Sequence, residues 1–161
     1  MSDQHQPTAQ DLFIERYGLL AEQDGLPRIA GRLIALLIVE DGPFSFSDLA
    51  ERLQVSRGSI STNTRLLERY GLIERIARAG DRQDYFQITQ DPWVRLLEAW
   101  LNRQAKTKQA VEALLETGED LPEGSRARAA AYLAFLDATM EQGRTATDHL
   151  REAAAPAPNR G

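Results

Sequence analysis

The stretch SRGSISTNTRLLERYG, Ser56 to Gly71, sets Ser59, Ser61, Thr62, Asn63 and Thr64 between arginines. None of the five favours a helix interior, because short polar side chains compete for nearby backbone groups or lose rotamer freedom. Wound as a helix at about 100° per residue, the stretch turns Ile60, Thr64 and Leu67 to one side, toward a core. Gly58, Thr62, Arg65 and Arg69 lie opposite, flanked by Ser59 and Ser61. Hydroxyls meet base edges or phosphate, arginine grips guanine through two N–H groups, and Gly58 lets the backbone come close. Together with the exposed amides at a helix N-terminus, which attract phosphate, this face fits the major groove of a duplex. The plainer reading is a solvated helix face, with Thr64 bonding back to the carbonyl of Ile60. Leu66 points partly outward, either onto a neighbouring hairpin or toward a thymine methyl.

A second basic feature follows. RIARAGDRQDYF puts Arg75, Arg78 and Arg82 on or beside the turn Ala79-Gly80-Asp81-Arg82. A narrow minor groove attracts such an arginine. Asp81 is expected to pair with an arginine and hold the turn's shape. The plain alternative is a charged surface hairpin. From Arg52 to Arg82 seven arginines face Glu68, Glu74 and Asp81, a net +4 in a chain of net −5. That asymmetry suits one face meeting phosphate.

The positioning elements are legible around these residues. Thr8 and Asp11 form a capping box for a first helix that ends before Gly25, with Phe13, Tyr17 and Leu20 on one stripe. Pro27 suits the first turn of a second helix through RIAGRLIALLIVE, apolar nearly all round and therefore central. After Gly42-Pro43, Ser45 and Asp48 cap the short helix FSDLAERL, with Leu49, Ala50 and Leu53 inward. QVS is a turn, Ser56 caps the serine-rich helix, and Gly71 supplies its left-handed stop. LIERIAR and QDYFQIT then pair as a hairpin. The fold class is mainly α with a small β-hairpin wing: a winged helix-turn-helix.

GLPRIAGRLIALLIVEDGPFSFSDLAERLQVSRGSISTNTRLLERYGLIERIARAGDRQDYF, Gly25 to Phe86, resembles the winged-helix core of MarR-superfamily transcriptional regulators, in particular the GbsR-type branch. The residues that carry the likeness are PRIAGR, SRGSIS, Asn63, Arg65, Leu67, Tyr70-Gly71, and Gly80, Arg82 and Tyr85 around the wing. The resemblance implies a homodimeric DNA-binding regulator, often controlled by a small ligand. It places Arg57, Ser59, Ser61, Thr62 and Arg65 against DNA and Arg82 at the wing tip. With the residues read above, the expected DNA-binding set is Ser56, Arg57, Gly58, Ser59, Ser61, Thr62, Arg65, Arg78 and Arg82.

Residues 1–24 form an N-terminal helix, 25–90 the winged helix-turn-helix, 91–153 two C-terminal helices and 154–161 a disordered tail, on this reading. The helix opened by Asp91-Pro92 carries Trp93, Leu97 and Trp100 on a stripe; the alanine-rich last helix carries Tyr132, Leu136 and Met140. With Phe13, Tyr17 and Leu20, these are the expected dimerisation residues, intramolecular packing being the alternative. Two-fold symmetry would set two reading helices about one DNA turn apart on a pseudo-palindromic operator. An effector near Trp93 and Trp100 is implied only by analogy with the family.

Other function classes find little support. The chain has no cysteine, which excludes disulfides and thiolate metal sites, and His5 and His149 have no companion ligands. It shows no nucleophile elbow, phosphate loop or dinucleotide fingerprint, so no enzyme, metal or cofactor is expected. Met1 to Gln10 lacks the order of a secretory signal, and the apolar run Leu33 to Val39 is too short for a bilayer. A cytoplasmic protein with no membrane contact is expected. The rival to DNA reading is a winged helix whose arginines bind an acidic protein.

Overall fold

Capping chemistry sets where the helices begin. In the computed structural model, which describes residues 6–154, Thr8 caps α1 (Ala9–Gln23) in a reciprocal box with Asp11. Pro27 stands just outside α2 (Arg28–Val39), one position before the first turn where the sequence placed it. Ser45 and Asp48 form the second box, opening α3 (Phe46–Leu53), and the Ser56 hydroxyl accepts from the Ser59 amide to open α4 (Arg57–Arg69). Gly71 follows with φ +70°.

The chain divides into two units, Met1–Pro92 and Trp93–Gly161. In the first, α2 is the hub: Ala30, Leu33, Ala35 and Leu36 are fully buried, as its uniform apolarity implied. Leu49 and Leu53 of α3, Ile60 and Leu67 of α4, and Phe86 complete this core. The rings of Phe46 and Phe86 meet edge to face, 4.7 Å between centroids.

The expected hairpin forms as β2 (Ile73–Ala77) and β3 (Asp84–Ile88), with Arg75 opposite Phe86 and Ile76 opposite Tyr85. A strand not foreseen, β1 (Phe44–Ser45), pairs with the other edge of β3, giving an antiparallel sheet ordered β1-β3-β2. Two residues are too few to show an alternating pattern; their partners, Phe86 and Tyr85, make them a strand. The hairpin base is closed by Thr89, whose hydroxyl donates to the Gly71 carbonyl at 2.8 Å.

The second unit is the antiparallel pair α5 (Pro92–Thr117) and α6 (Glu123–Ala154). Arg126 donates to the Leu115 and Gly118 carbonyls, satisfying the end of α5. Lys108 pairs with Asp137, Arg151 with Glu98, and Gly143 leaves room for the Trp100 ring. Residues 155–161, most of the expected tail, and His5 lie outside the described residues.

Candidate nucleic-acid interface

Helix α4 separates its two faces as the sequence required. Ile60, Thr64 and Leu67 are buried, while Ser56, Arg57, Gly58, Thr62, Arg65 and Arg69 are exposed; Ser59, Ser61 and Leu66 are half-buried. The inward face also takes Asn63, 6% exposed, a burial not foreseen.

Hydrogen bonds explain most of the poor helix formers. Ser59 supplies the amide that bonds the Ser56 cap, and the two hydroxyls lie 2.9 Å apart. Asn63 Nδ2 donates to the Ser59 carbonyl at 2.8 Å. Thr64 donates to the Ser61 carbonyl at 3.2 Å rather than to that of Ile60, so the back-bond spans three residues instead of four. Only the hydroxyls of Ser61 and Thr62 make no bond among the described residues, which leaves them as the donors this face can offer outward.

The arginines differ sharply in how they are held. Arg57 donates to Ser47 Oγ of α3 at 2.9 Å, which joins the two helices of the motif at the N-terminus of α4. Arg65 makes no ion pair or hydrogen bond among the described residues; with Thr62, Glu68 and Arg69 it lines an open hollow of about 550 Å³. Arg75 is not a tip residue: it sits inside β2 and pairs with Asp84 at 3.2 Å and Glu68 at 3.9 Å. Its charge is therefore balanced within the fold, and it braces the wing against α4.

At the wing tip Gly80 has φ +83°. Asp81 does not pair with an arginine as expected. Its carboxylate accepts the Tyr85 hydroxyl at 2.7 Å and the Gln83 amide at 2.9 Å. The phenol bond, then the amide bond, holds the Asp81 carboxyl below the usual carboxylate range, and the same phenol bond pushes the Tyr85 hydroxyl up. Arg78 lies over the Tyr85 ring, 4.2 Å from its centroid. Arg82 makes no ion pair or side-chain hydrogen bond among the described residues. Sequence reasoning missed Ser47 and the tie between Asp81 and Tyr85, since neither follows from local spacing.

Residues 24–84 match the family model described as MarR family. The matched segment runs from the residue before Gly25 through α2, β1, α3, α4 and β2 to the first residue of β3. Two curated relatives align over part of this chain. The HTH-type transcriptional regulator MmpR5 of Mycobacterium tuberculosis (strain ATCC 25618 / H37Rv) is 47% identical over 77 residues, 47% of this chain and 47% of its own length. The putative HTH-type transcriptional regulator YvaV of Bacillus subtilis (strain 168) is 26% identical over 83 residues, 52% of this chain and 47% of its own. The chain thus spans about half the length of the curated relatives it matches. A crystal structure described as that of a transcriptional regulator shares the fold with TM-score 0.80 and 29% identity, covering 90% of this chain and 99% of that one.

Outside the matched segment, the residues expected at a dimer interface fall into three groups. Phe13, Leu20, Trp93 and Tyr132 are 38%, 48%, 40% and 46% exposed, and Tyr17, Leu97 and Trp100 are half-buried. Leu136 and Met140 are buried within the single chain. Leu12, Leu19 and Phe135, not singled out in the sequence, are also exposed. Among the described residues no helix is long and apolar enough to cross a membrane, and no cluster of His, Cys, Asp or Glu could hold a metal ion.

Proposed function

We propose that this chain is a sequence-specific, double-stranded DNA-binding transcriptional regulator that acts as a homodimer. The observation that carries the reading is the outward face of α4: Gly58, Thr62 and Arg65 stand exposed together. A helix enters the major groove only where its side chains are short or can bond to base edges, and this face satisfies both conditions. Arg82, two residues after Gly80 and without an ion pair or side-chain hydrogen bond among the described residues, supplies a second contact, suited to the adjoining minor groove. The match of residues 24–84 to the MarR family model supports the same reading.

Exposed apolar side chains on α1, among them Leu12, Phe13, Leu19 and Leu20, support self-association. A two-fold pair would read a pseudo-palindromic operator. Repression is the expected mode, because a dimer seated on its operator excludes other proteins from the same duplex. The PRIAGR sequence at the start of α2 supports the GbsR-type branch, and a protein acting on DNA belongs in the cytoplasm. Control by a small effector rests on the family resemblance alone.

The test is selection by the purified full chain from a pool of random duplexes, followed by a salt titration. Recovered sites should share an inverted repeat, bind at least about a thousandfold tighter than random duplex, and weaken steeply with rising salt, which reduces the entropy gained when the protein releases counterions from the duplex. Recovery of no preferred sequence, with tight binding to an acidic protein instead, would overturn the assignment.

A further inference from the structure

Two contacts at the wing tip converge on the Tyr85 side chain. The Tyr85 hydroxyl donates to Asp81 Oδ2 at 2.7 Å, and the Tyr85 ring lies under the guanidinium of Arg78. Asp81 in turn receives the Gln83 amide on Oδ1 at 2.9 Å and donates its own amide to the Arg78 carbonyl at 3.1 Å. Residues 78 to 83 are otherwise exposed, and a Cβ placed on Gly80 would meet nothing within 4 Å. None of the side chains from 78 to 83 is buried, so the tip's shape depends on this clip.

We propose that Tyr85 is a positioning residue for the wing, which fixes the loop around Asp81 and holds Arg78 over its ring so that both Arg78 and Arg82 meet a duplex already ordered. The role rests on the DNA-binding reading above. Ordering a free loop at the moment of contact subtracts from affinity, and a loop held in its bound shape avoids that loss. A guanidinium stacked on a ring keeps its N–H edge open to phosphate while giving up rotamer freedom before binding. Arg82, which makes no ion pair or side-chain hydrogen bond among the described residues, is left for the groove.

Tyr85→Phe separates the two halves of the clip, because it removes the hydroxyl and keeps the ring under Arg78; Tyr85→Leu removes both. The full chain is assayed on the duplex that wild type selects from a random pool, with thermal midpoint and amide exchange measured on the free protein. Tyr85→Phe should weaken binding about fivefold, the scale of one hydrogen bond, with an unchanged thermal midpoint and faster exchange at residues 81 to 83. Its salt dependence should match wild type, since no charge is lost. The pair Tyr85→Phe with Asp81→Ala should bind no worse than Asp81→Ala alone, because both remove the same bond. Wild type that binds while Tyr85→Phe binds equally well overturns this role alone. Wild type that selects no duplex overturns the DNA reading and the role with it.

Discussion

Gly18 and Gly31 meet where α1 crosses α2: a Cβ on Gly31 would stand 3.1 Å from the Gly18 Cα and 2.5 Å from the Ala21 Cβ. The two bare positions let the helix backbones approach closely enough to bury Ile14 and Ala21 against the hub helix. Gly31→Ala should therefore destabilise the fold. Overpacking costs about 1–3 kcal/mol, set against a helix-propensity gain of about 1 kcal/mol. Urea unfolding should show a lower midpoint; a raised midpoint would mean the crossing yields without strain.

Gly58 presents the opposite case. A Cβ there would meet only Ser56 Oγ, at 3.8 Å, so the protein itself has room for a side chain. Gly58→Ala should stabilise the folded chain by up to about 1 kcal/mol and yet weaken binding to the selected duplex. Tighter folding with undiminished binding would remove Gly58 from the interface.

Arg65 and Arg82 should fail differently. Arg65→Ala is expected to cost about 1–3 kcal/mol at the preferred site and to blur its sequence preference. Equal loss on all sequences would make Arg65 a phosphate contact. Arg82→Ala should weaken binding evenly and lower the salt slope by about 1. Competition titrations at several salt concentrations distinguish the two.

The box at the start of α3 makes acid stability testable. The Ser45 amide, then the Ser45 hydroxyl, holds the Asp48 carboxyl below its ordinary value of 3.8. A carboxylate favoured by folding contributes stability above its unfolded pKa and loses it as pH falls through the folded one. Asp48→Asn should therefore be less stable than wild type near neutrality, with the gap closing below about pH 4. Ser45→Ala should cost about 1 kcal/mol at pH 7, read by urea unfolding.

How much of this could be read beforehand divides along a physical line. The capping boxes of Thr8 with Asp11 and Ser45 with Asp48, the Ser56 cap, and the inward set Ile60, Thr64 and Leu67 depend on neighbours within one helical turn. Local spacing encodes them, so the sequence alone determined the helices, the hairpin and the outward face of α4. Chain folding had to decide the rest: β1 exists because Phe44 meets Phe86, Arg57 is bound to Ser47, Arg75 is neutralised by Glu68 and Asp84, and Asp81 takes a tyrosine instead of an arginine. Each of those choices turns on which groups share a few ångströms once helices and strands have packed, and backbone geometry across elements, rather than residue type, sets that distance.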